Sequence, residues 1–239
     1  MNWRQLLFFS STFFLVAGIA SGSARAQTRV GEAVLIQNKV DRVSGSLMMP
    51  INVGDGMLRD ETVRTGIESA ARFVMADSTN LSLGPNATIT LDRTVFSGEH
   101  SYREIAIKLL TGSFRFVTGN SEKAAYKITT PVATIGVRGT ILDILSQRGK
   151  TTVVLQEGGS RVCAIGGGCI ELTNPGDTAV ITSTGGKVTI TKLGSPPWSF
   201  AANCSALAGL CSVTQFAQAT PPSGPTNDGS DSTAMLCGR

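Results

Sequence analysis

Between residues 30 and 192, apolar and polar positions alternate with a period of two, and glycine or polar turns interrupt the alternation. Leu81, Leu83, Ala87, Ile89 and Leu91 keep one parity across Gly84-Pro85-Asn86, and Ile105, Ile107 and Leu109 define a second apolar face. Phe114 and Phe116 flank Arg115, while Val153 and Leu155 alternate with Thr152, Val154 and Gln156. Successive side chains of an extended chain point to opposite faces, so each run reads as a strand with one buried side. Gln147-Arg148-Gly149-Lys150 reads as a hairpin turn. Many short strands separated by Gly, Asn and Asp turns predict an all-β fold, solenoid-like or a sandwich. The period of a regular β-helix is not detectable. Helical spacing enters only after Trp198, where Phe200, Cys204, Leu207 and Cys211 recur at +4, +3 and +4 and predict a short amphipathic helix packed on the β domain.

Composition divides the chain further. Residues 1–26 read as a signal peptide: Arg4 supplies a positive start, residues 6–20 an apolar run, and Ala24-Arg25-Ala26 a small-x-small cleavage pattern with the cut after Ala26. That apolar run falls short of the roughly 20 residues a spanning helix needs. The expected product is periplasmic or secreted, with no stable membrane span once the leader is removed. Residues 27–192 form the all-β domain, 193–218 a linker with the short helix, and 219–239 a disordered tail rich in Pro, Ser and Gly. Cleavage removes Arg4 and Arg25 and no acidic residue, lowering the formal charge of +4 by two. With Lys and Arg scattered singly, nucleic acid is not an expected partner.

Five cysteines in an exported chain predict disulfides. Cys163 and Cys169 flank a glycine-rich turn and suit a bridge across a hairpin. Cys204 and Cys211 stand seven residues apart, about 10.5 Å of rise on a continuous helix, which is beyond disulfide reach. Either Gly209 breaks that helix or one of the two reaches Cys237. The odd number leaves a free thiol or an intermolecular bond.

Catalytic chemistry finds little purchase. The one histidine, His100, lies in a polar connection and reads as a solvated loop residue. Structural metal sites need closely grouped Cys and His ligands, so no metal and no cofactor is expected. Gly149-Lys150-Thr151 lacks the upstream glycine of a phosphate loop, since position 144 is Ile. Asp55, Asp60, Glu61 and Asp77 sit beside turns, where a carboxylate usually caps backbone N–H groups. No catalytic residue is assigned.

The run Thr129-Thr130-Pro131-Val132-Ala133-Thr134-Ile135-Gly136-Val137-Arg138-Gly139-Thr140, after Gly112-Ser113-Phe114-Arg115-Phe116, carries a further signal. Pro131 marks a strand start, and Gly136 and Gly139 bracket a tight corner that Arg138 is expected to orient by donating to carbonyls or a carboxylate. With Gly54-Asp55-Gly56, Val63-Arg64-Thr65-Gly66, Gln156-Glu157-Gly158 and Asn174-Pro175-Gly176-Asp177 in order, this resembles the FecR-type periplasmic domain over most of residues 30–192. The resemblance implies an all-β periplasmic domain that relays or scaffolds, with Pro131, Gly136, Arg138, Gly139 and Thr140 as its structural corner. Some regulators of that family cleave themselves at a Gly–Thr bond, which Gly139-Thr140 would supply. A signal peptide stands where the family's sigma regulators carry a cytoplasmic segment and a membrane helix. The expected function is an exported, non-catalytic binding or scaffold module whose partner is a protein or an envelope polymer. The alternatives are a periplasmic component of trans-envelope signalling with a separate membrane partner, and an envelope hydrolase using a carboxylate pair.

Overall fold

The computed structural model describes residues 28–98 and 101–203 of the 239-residue chain. The described residues open with β1 (Arg29–Gln37), turn at Asn38 into β2 (Val40–Ser44), and return as β3 (Leu47–Pro50). The short β4 (Gly56–Leu58) and β5 (Thr62–Thr65) precede the hairpin β6 (Ala70–Met75) and β7 (Asn80–Leu83). Two long strands follow, β8 (Thr88–Gly98) and β9 (Ser101–Val117), then a 3-10 turn at Lys123–Ala125. Four hairpins complete the β domain: β10 (Tyr126–Thr129) with β11 (Ala133–Val137), β12 (Ile141–Gln147) with β13 (Lys150–Glu157), β14 (Ser160–Ala164) with β15 (Cys169–Leu172), and β16 (Thr178–Thr184) with β17 (Lys187–Leu193). The helix α1 (Phe200–Asn203) ends the described residues.

These strands fall into two sheets. Sheet I runs β4-β1-β6-β7-β9-β12-β13-β16-β17, and sheet II runs β3-β2-β5-β8-β9-β10-β11-β14-β15. All pairings are antiparallel except β9 with β10, where Tyr126 lies opposite Ile105. Successive hairpins alternate between the sheets, so the chain advances like a solenoid while its cross-section is a sandwich. Both expected forms of the all-β fold are therefore present together.

Strand β9 belongs to both sheets. Residues 101–111 pair with β8 in sheet II, and residues 112–117 pair with β7 and β12 in sheet I. Gly112 makes the change of sheet with φ +105°, and a Cβ there would sit 2.3 Å from the Ala87 Cα. Neither the dihedral nor the contact tolerates a side chain. Ile105, Ile107 and Leu109 thus enter the core from one sheet and Phe114 and Phe116 from the other.

The core is one cluster drawn from both sheets, including Val63, Phe73, Leu81, Ile89, Ile135, Leu142, Val153 and Ile181. The constant parity of Leu81, Leu83, Ala87, Ile89 and Leu91 has a different origin from a continuous strand. Gly84-Pro85-Asn86 carries the chain from β7 in sheet I to β8 in sheet II, and Asn86 adopts φ +54° in doing so. The Arg148-Gly149 hairpin is as expected, with Gln147 opposite Lys150. Gly112→Ala is expected to cost roughly 3 kcal/mol or more. Gly166→Ala, also at positive φ but facing open space, should cost about 1 kcal/mol. Urea unfolding of the two variants, followed by far-UV circular dichroism, checks the difference.

Candidate functional site

The expected corner is a crossover between sheets. Pro131 is exposed ahead of β11, where Thr130 Oγ1 accepts the Ala133 N–H at 3.0 Å and the Thr151 hydroxyl at 2.9 Å. Gly136 lies within β11, and its carbonyl accepts the Ser160 hydroxyl. A Cβ at Gly136 would meet only the Arg161 carbonyl at 3.6 Å, an ordinary contact. Steric demand falls instead on Gly158, where a Cβ would come 1.9 Å from the Gly139 carbonyl oxygen while Gly139 itself adopts φ +67°. Thr140 then enters sheet I, its N–H donating to Thr118 Oγ1 at 2.8 Å while the Thr118 N–H donates to its carbonyl at 3.1 Å. Arg138 contributes differently from expectation: its side chain is exposed, and its backbone N–H holds the corner by donating to the Gly159 carbonyl at 3.0 Å.

At one end of the sandwich a buried carboxylate gathers hydroxyls from distant strands. Asp77 Oδ2 accepts the hydroxyls of Ser121 at 2.6 Å and Tyr126 at 2.7 Å, and Oδ1 accepts the Thr79 N–H at 3.0 Å. The Tyr102 hydroxyl donates to the Val30 carbonyl and accepts the Ala76 N–H. Burial and the Asp77 hydrogen bond push the Tyr126 phenol up to about 12, and burial raises Tyr102 as well. Both phenols stay protonated at neutral pH, which suits them to pinning strands together and not to acting as bases. Beside this group lies a cleft of about 490 Å³ lined by Tyr102, Arg103, Asn120, Glu122 and Ala125 among others. Glu122 is the carboxylate on its described wall. Glu61, whose pKa burial raises against the lowering effect of nearby Arg42, is not among the lining residues.

A second buried polar group sits on the outer face of sheet I. Arg115 and Asp143 lie directly opposite on β9 and β12 and pair through two bonds, Nε to Oδ1 at 2.6 Å and Nη2 to Oδ2 at 2.8 Å. Side-chain exposure is 2% for Arg115 and 0% for Asp143. Gln156 Nε2 donates to Asp143 Oδ2 at 2.9 Å, and the Phe200 N–H reaches the same oxygen at 3.3 Å. The Phe200 ring lies 5.3 Å from the Arg115 guanidinium carbon, a cation–π contact. Single charges inside apolar strands, as in Phe114-Arg115-Phe116 and Leu142-Asp143-Ile144, are the sequence signal for this pair, but only the register joins them.

The sheet edges differ in character. At one edge of sheet II, β3 exposes Leu47 (66%), Met48 (46%) and Met49 (45%). At one edge of sheet I, β17 carries Lys187 and Lys192, and Lys192 bonds Asp177 at 2.8 Å. That lysine, with the Thr173 and Asn174 N–H groups, lowers the Asp177 carboxyl to about 2. Asp55 caps its own turn as expected, accepting the Asn52 N–H at 2.8 Å. Cys163 and Cys169 face each other across β14 and β15 and are joined by a disulfide, with Cα atoms 4.0 Å apart. Cys204, Cys211, Cys237, His100, the leader and the tail lie outside the described residues. Among the described residues, no group of three or more His, Cys, Asp or Glu is placed to hold a metal, and no helix is long and apolar enough to cross a membrane.

Residues 61–159 match the family model described as FecR protein. The chain carries a FecR domain. The match runs from the residue before β5 to the turn after β13, so it contains the β9 crossing, the Asp77 group, the Arg115–Asp143 pair and the corner. It is narrower than the resemblance over residues 30–192: Gly54-Asp55-Gly56 and Asn174-Pro175-Gly176-Asp177 fall outside it. Two crystal structures of a candidate anti-sigma factor from Parabacteroides distasonis ATCC 8503 are similar, each at 13% identity and a TM-score of 0.44. Each match covers 54% of this chain and 58% of that one, so it spans little more than half of that protein. No curated protein matches the chain.

Removing one partner of a buried pair strands the other charge, so Asp143→Ala should lower stability by about 3–5 kcal/mol. Arg115→Met combined with Asp143→Leu should recover most of that loss, as denaturant titration would show. The depressed Asp177 carboxyl adds stability above its unfolded value near 3.9, and that contribution is lost as pH falls toward about 2. Asp177→Asn should therefore be less stable than the parent at pH 7, with the difference closing between about pH 4 and pH 2 in thermal melts.

Proposed function

We propose that this FecR-domain protein is an exported, non-catalytic module of the periplasm that holds a partner protein by strand addition at β3. The observation that carries the reading is the β3 edge. An edge strand offers unpaired N–H and C=O groups to any extended chain, and soluble proteins usually guard such edges with charge. The Lys187 and Lys192 edge of β17 follows that habit, whereas Leu47-Met48-Met49 has no charged side chain and leaves its apolar groups exposed. Unbranched methionines adapt to varied side chains, which suits recognition of a peptide strand. The FecR match and the signal-peptide pattern of residues 1–26 support periplasmic placement.

A second reading, a periplasmic component of trans-envelope signalling that works with a separate membrane protein, is favoured by the same family match. The β3 edge would then be its contact with the membrane protein.

Cell fractionation and intact-mass analysis of tagged protein test the address, with an N-terminus at Gln27 as the expected product. Photocrosslinking from position 47 in envelope preparations tests the edge. Met48→Lys should reduce the crosslinked partner at least about tenfold while moving stability by under about 0.5 kcal/mol, because position 48 is exposed. Unchanged crosslinking in Met48→Lys, or a product retained in the cytoplasm, would remove the reading.

A further inference from the structure

We infer that the outer face of sheet I around Arg115 and Asp143 is a docking socket for an aromatic residue of a peptide, filled in the resting chain by its own Trp198–Asn203 segment. This surface is separate from the β3 edge and does not depend on it.

Phe200 is completely buried, yet it is not part of the core cluster between the sheets. Its burial comes from the outer face, where α1 packs on β9 and β12. The sheet side of the socket is assembled from the domain's own strands: Arg115 holds Asp143 by two bonds, and Gln156 fixes the same carboxylate. What the segment adds is a ring against the guanidinium and one N–H on Asp143 Oδ2. Any peptide presenting an aromatic ring beside a free backbone N–H offers the same two contacts.

The approach to the socket supports exchange. Gly194, Ser195, Pro196 and Pro197 are all exposed, and the two prolines cannot donate backbone hydrogen bonds. The segment is thus tied to the sandwich at its Phe200 end, while its connection to β17 lies in solvent. The outer face also holds hydrogen-bonding capacity that the segment leaves unused. Ser82, opposite Arg115 on β7, and Ser113, two residues before Arg115 on β9, bury their hydroxyl oxygens without a partner. The indole N–H of Trp198 on the segment is likewise buried and unmatched. Leaving such groups unpaired is costly, so a peptide that satisfies them competes with the intramolecular segment at an advantage.

The test uses the full chain with Trp3→Phe, making Trp198 the fluorescent reporter, and a dye-labelled synthetic peptide covering residues 196–210 with its cysteine replaced by serine. The peptide should bind Phe200→Ala at least about tenfold tighter than the parent, because the parent's own segment occupies the socket. A peptide with alanine at the phenylalanine should bind neither chain. Equal affinity for both chains, or no binding to Phe200→Ala, would overturn the inference. Should Phe200→Ala lose strand content, the parent alone decides the matter. In a urea titration the Trp198 emission should shift to the red at lower urea than the loss of far-UV signal, and coincident transitions would overturn the socket as a separable site.

Discussion

The whole architecture depends on one strand being hydrogen-bonded in two sheets. β9 pairs with β8 and β10 through its first part and with β7 and β12 through its second, so neither sheet is complete without it. The constraint has a single hinge, Gly112, where the backbone passes within side-chain distance of Ala87. Because the inward side chains on the two sides of that hinge enter the same core, the sheets cannot slide past each other without parting Arg115 from Asp143 or turning Phe114 out of the core. The parallel pairing of β10 follows from the same geometry. After β9 ends in sheet I, the chain must return across the sandwich to reach sheet II, and it re-enters beside the strand it has just left.

That return is anchored by polar groups and not by a turn motif. Asp77, in the β6–β7 turn, binds Ser121 and Tyr126, which flank the 3-10 turn leading into β10. One carboxylate therefore ties the start of the second half of the domain to the first. Keeping the tyrosine hydroxyl neutral preserves its role as donor over the whole physiological range. The Arg115–Asp143 pair acts on the opposite side of sheet I, joining β9 to β12 from outside while Phe114 and Leu142 join them from within. Buried pairs of this kind add little net stability but penalise alternative registers, since a slip by one residue leaves both charges unpaired.

Much of this was legible in the sequence, and the limits are physical. Period-two alternation identified β7, β8, β9 and β13 because each sends alternate side chains into a common core, and the turn Arg148-Gly149 was readable from local backbone preference alone. The Cys163–Cys169 bridge was readable because both ends belong to one hairpin. Long-range pairing was not. Nothing local distinguishes Asp77 as the centre of a hydroxyl cluster from Asp55 as a turn cap, since both sit beside turns and differ only in what packs on them later. For the same reason Arg138 looked like the residue that orients the corner. A backbone N–H does that work, and backbone groups leave no trace in residue type. Gly136 and Gly139 marked the corner, but the residue that crowds the Gly139 carbonyl is Gly158, after β13, which only the long-range packing brings there.

The division between the FecR match and the rest of the chain follows from the same constraint. Residues 61–159 begin before β5 and end after β13, which brackets the β9 crossing and both buried polar groups. On either side the chain adds strands to sheets already defined: β1 to β4 extend one end and β14 to β17 the other. Added strands need only match an existing edge, so their sequences are free to specialise. Accordingly, the exposed apolar β3, the disulfide-closed β14–β15 hairpin, the lysine-bearing β17 and the Phe200 segment all lie outside the matched residues. The matched residues thus hold the crossing strand and its buried polar groups, while the strands on either side differ in exposed chemistry, apolar at β3 and lysine-bearing at β17.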